Sequence, residues 1–242
     1  MRSEQLTVVY KLDTLGVAHA LQGIEGVLRK YQIRLDGFRV YGKPMDFPNA
    51  IRDIRKPHFN VTGCGFEFRL SPVRNHQLDF FQVKTTHECK TSWVDWSAPF
   101  IGESNFVMAW LADSEYDHWQ NAKDPLQYTA VGKSYAHLPM KSSGLPYPLE
   151  QKIIDTSANP GRWRLCDGYY EAVGAVMWLG EPFWQLTGAD KTGVENARWL
   201  RASKPVPSVT CLQAANECFT TADGASGELQ GKLRSLLFPA VK

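Results

Sequence analysis

Apolar positions recur along this chain with two periods, and the switches between them mark out its elements. Residues 6–12 alternate weakly and are rich in Val and Tyr, which predicts an opening strand. Leu15, Ala18, Leu21, Ile24, Leu28 and Tyr31 then fall at spacings of three and four, the stripe of an amphipathic helix capped by Asp13 or Thr14. Gly16, Gly23 and Gly26 weaken that helix but let it approach a neighbour closely. Residues 33–41 predict a strand, and 49–56 a short helix stopped by Pro57.

Residues 61–70 and 77–86 read as an antiparallel pair around a turn-prone segment, 71–76. In the first strand Phe66 and Phe68 oppose Glu67 and Arg69; in the second Phe80 and Phe81 lie on opposite faces. Between Cys89 and Phe100, Trp93 and Trp96 punctuate a segment closed by Ser97, Ala98 and Pro99. The spacing over 106–119 predicts a helix with Phe106, Trp110, Tyr116 and Trp119 as apolar anchors. From 120 to 158 the pattern lapses into a connection holding Pro125, Pro139, Pro146 and Pro148, whose Tyr128, Tyr135 and Tyr147 argue for a packed-down course. Beyond it, 173–179 predict a buried strand that Gly180 ends, and Pro182 suits the first turn of a short helix sealed by Phe183, Trp184 and Leu186. Residues 206–214 have β character, and Ser226 caps a last helix with Leu229, Leu233, Leu236 and Leu237 on its apolar face.

This order of elements predicts an α+β fold with a mixed or largely antiparallel sheet packed against amphipathic helices. The length of 242 residues allows one compact domain over 1–242 or two intimately packed halves, 1–120 and 159–242. No sequence period marks a duplication.

Composition narrows the function. Eight Trp, nine Tyr and twelve Phe supply either a thick core or broad recognition surfaces, and the net charge of +2 is too small for a typical nucleic-acid binder. The cysteines at 64, 89, 166, 211 and 218 follow no metal or redox spacing and read as reduced, mostly buried thiols. With no signal-peptide block and no apolar run of about 18 residues, the expectation is a soluble cytoplasmic protein without a membrane partner.

Reactive constellations are few. His118 with Glu115 has ligand spacing, although a solvated helix surface explains the pair as well. Cys64, between Gly63 and Gly65, becomes a nucleophile only if His58, His76 or His87 approaches it; a buried structural thiol is the plainer reading. Glu67, Asp79, Gln82 and Lys84 superficially match the acid and Glu-x-Lys pattern of metal-dependent nucleases, which keeps such an enzyme as the alternative function. No phosphate loop or dinucleotide motif occurs, so no cofactor is implied.

The run 176–188, with its Trp, Leu-Gly and Phe-Trp turn, the 209–219 segment and the Leu-rich terminal helix resemble bacterial immunity proteins of polymorphic-toxin and type VI secretion systems, specifically the immunity protein 52 family. The resemblance covers residues 165–238. It implies non-catalytic neutralisation of a cognate secreted toxin, without direct nucleic-acid contact. The stretch best suited to meet such a partner is acidic and aromatic: Asp113, Glu115, Asp117 and Asp124, interleaved with Tyr116 and Trp119. An inward-packed pair of rings behind solvated acids is the competing reading of the same stretch.

Overall fold

The computed structural model describes residues 3–44, 47, 54, 56–86 and 91–239. Its centre is a ten-stranded sheet. In chain order the strands are β1 (Glu4–Lys11), β2 (Arg39–Val40), β3 (Lys43–Pro44), β4 (Phe59–Gly63), β5 (Phe66–Val73), β6 (Leu78–Thr85), β7 (Phe106–Asp113), then β12 (Val176–Gly180), β13 (Arg201–Val206) and β14 (Val209–Gln213). Two ribbons lie outside the sheet, β8 (Met140–Ser142) with β9 (Lys152–Ile154) and β10 (Arg164–Cys166) with β11 (Tyr169–Glu171). The spatial order is β13-β14-β12-β7-β1-β6-β5-β4-β2-β3, and each neighbouring pair is antiparallel. The fold is α+β with a large antiparallel sheet against amphipathic helices, as the element order predicts.

Strand alternation sorts side chains into two cores, one per face. On one face Leu6, Val8 and Tyr10 of β1, Phe66, Phe68 and Leu70 of β5 and Phe81 and Val83 of β6 meet α1 (Val17–Lys30) and α2 (Trp93–Ile101). Of the three glycines expected to allow a close approach only Gly23 does so: a Cβ there would lie 3.0 Å from both Pro99 and Phe100, whereas one at Gly16 or Gly26 would meet nothing within 4 Å. On the other face Val9, Met108, Trp110, Met177, Leu179 and Leu212 meet α5 (Glu181–Thr187), α6 (Lys191–Glu195) and α7 (Gly224–Leu237). A register shift between Val9 and Tyr10 places Val107 and Met108 together in this second core.

Several local expectations change. Residues 106–119 are not one helix: Phe106–Asp113 is a central strand buried on both faces, and only α3 (Ser114–Asn121) is helical. A fully buried strand has an unbroken apolar run, which carries no period-two signature and mimics a buried helix. Within 33–41 only Arg39–Val40 is strand, and the 49–56 helix falls almost wholly outside the described residues. Gly16 holds the N-cap of α1, while Asp13 is left-handed at φ 58°. Asp223 is the N-cap position of α7, whereas Ser226 lies inside it and donates to the Thr221 carbonyl. The exposed strand β13 and the helix α2 escaped the apolar pattern, β13 because its side chains are solvated and α2 because Pro99 interrupts it.

The 172–190 region matches its reading except that the strand is Val176–Gly180 and that Leu186, expected to seal the short helix, is 41% exposed, because it lies on the outer side of a helix whose other side carries Phe183 and Trp184. Trp178 enters the first core and Phe183 and Trp184 the second, Pro182 occupies the first turn of α5, and Gly188 ends it at φ 67°. The connection, in contrast, is not uniformly packed down. Tyr128 is buried with Ala122 and Ile154 in a small third cluster, Tyr135 is exposed, and Tyr147 is 93% exposed.

Candidate functional site

Helix α3 separates two concavities. Asp113, the last residue of β7, accepts from the Tyr116 backbone N–H at 2.8 Å and starts the helix. One side of α3 turns Glu115, Tyr116 and Trp119 into a groove of about 910 Å³; the other turns Ser114, Asp117, His118 and Asn121 into a cleft of about 690 Å³. The spacing of the second set, at i, i+3, i+4 and i+7, is that of one helical face.

The groove lies between α3 and a projecting arm made of α4 (Pro125–Ala130) and the β8–β9 ribbon. Asp113, Glu115, Asp155 and Asp223 line it against one lysine, Lys133, which sits 3.3 Å from Glu115 and 4.2 Å from the centre of the Trp119 ring. Lys141 beside Asp155 holds that carboxyl down at about 2. Tyr116 donates to Gln230 Oε1 of α7 at 3.0 Å, and burial is the main cause lifting its phenol to about 12. Above the groove the arm is unusually apolar. Of the eleven exposed large hydrophobic side chains among the described residues, Leu126, Val131, Tyr135, Met140, Leu145, Tyr147 and Leu149 lie on it.

The cleft has a polar floor built by strand register. Gln5 of β1 stands opposite Lys84 of β6, which stands opposite Glu67 of β5; one step along, Thr7, Gln82 and Arg69 form the next row. Helices and apolar chains cover this face at β7, β12 and β14, whereas over these two rows it is open to the cleft. Asp117 overhangs the floor and accepts from Gln5 Nε2 at 2.9 Å. Burial is the largest cause pushing its pKa from 3.8 to about 6, against the opposing pull of Gln5, Trp163 and Lys84. Trp163, its ring 5.7 Å from Tyr170, forms the aromatic end.

The residues expected to meet a partner therefore divide. Asp113, Glu115, Tyr116 and Trp119 line the groove, and Asp117 and Asp124 line the cleft. Glu115 and Asp124 are exposed, but Asp113 is 7% exposed and engaged in capping α3, and Asp117 is half-buried. Asp124 accepts from the Leu126 backbone N–H at 2.9 Å and starts α4. Glu115 and His118, proposed above as a ligand pair, serve different concavities.

The nuclease-like set is also divided. Glu67, Gln82 and Lys84 share the cleft floor, but Asp79 faces the opposite side of the sheet and accepts from the backbone N–H groups of Thr14 and Leu15. Odd and even positions of one strand cannot join in one site without a bulge, and β6 pairs with β5 without a register shift. Among the described residues no group of three or more His, Cys, Asp and Glu is placed to hold a metal. Cys64 is not a buried thiol: it sits exposed at the β4–β5 turn with φ 49°. Partial burial, with Asp36 adding to it, pushes its pKa up, away from a reactive thiolate. Of the four described cysteines only Cys218 is buried; Cys89 and His87 lie outside the described residues.

Sequence pattern did not single out the arm's apolar tip, Gln5, Arg69 or Trp163. Proline spacing in 146–148 was the available signal for the tip, and the alternation of 66–69 that for Arg69.

No protein-family model matches the chain, and no curated protein sequence matches it. Among solved structures the chain is similar to a Pseudomonas aeruginosa T6SS protein, PA0821, with a TM-score of 0.54 at 10% identity, over 98% of this chain and 73% of that one. At this identity the likeness is one of fold. No helix among the described residues is long and apolar enough to cross a membrane.

Proposed function

We infer that this chain is an immunity protein, a non-catalytic binding protein that neutralises a cognate secreted bacterial toxin inside the cytoplasm, with α3 and the arm as the contact face. The observation that carries the reading is the clustering of exposed apolar side chains on the arm beside an acidic groove. Isolated exposed hydrophobics need no explanation, but seven on one projecting element form a surface suited to a protein partner. Tyr147 and Leu149 supply apolar anchors, and Glu115 and Asp223 favour a basic partner surface. The fold-level likeness to a T6SS protein and the C-terminal resemblance to immunity proteins support the same reading.

The test is co-expression with the toxin encoded beside this gene. The wild type is expected to protect cells and co-purify with the toxin. A variant carrying Leu145→Ser, Tyr147→Ser and Leu149→Ser loses at least about tenfold in affinity, which corresponds to about 1.4 kcal/mol. Soluble wild-type protein that neither protects nor co-purifies overturns the function; full affinity in the triple variant overturns the arm as the contact face.

A further inference from the structure

The cleft on the far side of α3 has a hydrogen-bonding imbalance that the binding face does not use. Each of its acids accepts from a neutral donor: Glu67 from Asn60 Nδ2 at 3.2 Å, Asp117 from Gln5 at 2.9 Å and Asp124 from the Leu126 N–H at 2.9 Å. Its cations have no direct partner: among the described residues the side chains of Arg69, Lys84 and Lys123 make no hydrogen bond or close ion pair, and Lys84 acts on Asp117 only at longer range, although all three line the same cleft. Lys84 is half-buried on the floor and diagonal to Arg69 across one strand spacing, so two long cationic side chains can converge on one group. Cationic donors that face a concavity without a direct protein partner are open to acceptor oxygens of a ligand, and their hydrogen bonds to an anion are charge-assisted.

The far end of the cleft adds a second element of recognition. Trp163 is 38% exposed and meets Tyr170 in an edge contact, and Tyr170 packs in turn on Trp110 at 5.3 Å between ring centres. A partly exposed indole fixed by a buried neighbour offers a ring on which a planar group can stack. The volume of about 690 Å³ lies in the range of small-molecule sites.

We propose that this cleft binds a small organic anion, a phosphate or carboxylate attached to a planar ring, with Arg69 and Lys84 on the anionic group and Trp163 on the ring. Lys123 reaches over from the wall, and Asp117, bonded to Gln5, holds α3 against the floor. The site needs no toxin, so it stands or falls separately from the binding function.

Titration of the full chain with AMP, phenylacetate and inorganic phosphate, followed by tryptophan fluorescence and calorimetry, tests this. At least one ring-bearing anion is expected to bind with a Kd of about 1 mM or tighter, and inorganic phosphate at least about tenfold more weakly. Preference for AMP identifies a phosphate ligand, and preference for phenylacetate a carboxylate. Lys84→Met weakens the bound probe by about tenfold or more, and Trp163→Ala weakens it while leaving inorganic phosphate unchanged. Arg69→Gln, at an exposed position, is the control for folding and is expected to melt like the wild type while losing affinity. Failure of both ring-bearing probes to bind at about 10 mM, or wild-type affinity in both Lys84→Met and Arg69→Gln, overturns the proposal.

Discussion

Gly180 shows how one missing side chain holds two elements together. It ends β12 and is the N-cap of α5, and a Cβ added there would lie 2.3 Å from the Phe106 carbonyl oxygen of β7. Backbone cannot yield that distance cheaply, so Gly180→Ala is expected to cost about 1–3 kcal/mol, measured by urea unfolding; an unchanged midpoint would contradict the close packing. Asp117 yields a prediction about pH. Its folded-state pKa is raised from 3.8 to about 6, so the native state binds its proton more tightly than the unfolded state does. Its contribution to stability is therefore full below about pH 4 and lost as pH rises to about 6, the reverse of a salt-bridged carboxylate. Carboxyl NMR is expected to show a midpoint near 6; an ordinary value would remove the burial on which this rests. The two predictions differ in their legibility. A glycine before Glu181 and Pro182 already reads as a strand end, whereas nothing near Asp117 in sequence announces Gln5 or Trp163, which come from remote segments to surround it.

At the scale of elements, α3 and the arm are the parts that sequence pattern described least well. The acidic and aromatic residues of 113–124 were visible, but a helix period cannot say which of its faces meets solvent, sheet or groove. Here no face is left as a plain solvated surface, because the strand before α3 and the connection after it leave a concavity on either side. The β8–β9 ribbon is only three residues per strand, and such a ribbon has little stability of its own. It is anchored at its base by Ile154 packing with Ala122 and Tyr128, not by its tip. The triple serine variant at Leu145, Tyr147 and Leu149 is accordingly expected to unfold within about 0.5 kcal/mol of the wild type. A larger loss in thermal or urea unfolding would mean that the tip is packed in solution and is not a free contact surface.

For the whole molecule, the sheet draws strands from both ends of the chain, with β1 and β7 side by side at its middle. Its edges are blunted: β3 has two residues, ending in Pro44, and β13 carries Arg201, Lys204 and Pro205 with a register shift before Val206. Arg234 of α7 joins distant parts. Buried at 7% exposure, it pairs with Glu171 at 3.0 Å and donates to the carbonyls of Pro160 and Arg162, tying the last helix to the segment 160–171 around the β10–β11 ribbon. Arg234→Ala removes the donor to those carbonyls and one of the cationic partners of Glu171, and a loss of about 1–3 kcal/mol is expected in urea unfolding. A change below about 1 kcal/mol would mean that Arg164, 2.6 Å from Glu171, compensates for it.

By itself the sequence determined the α+β class, the antiparallel pairing of 66–70 with 78–85, the strand-turn-helix at 176–188 and much of the amphipathic faces of the first and last helices; it missed the turn at Cys64 and Gly65 that splits 61–70 into β4 and β5, and the extension of β5 through 71–73. Each feature so determined is written in neighbouring residues, through alternation, helical spacing and Gly or Pro punctuation. Only the tertiary structure decided that 106–113 is a central strand, that Asp79 lies across the sheet from Glu67 and Lys84, and that the acids of α3 serve two concavities. The reason is physical. Which strand lies beside which is settled by burial between residues tens of positions apart, and a side chain's chemistry depends on the neighbours that this choice brings to it.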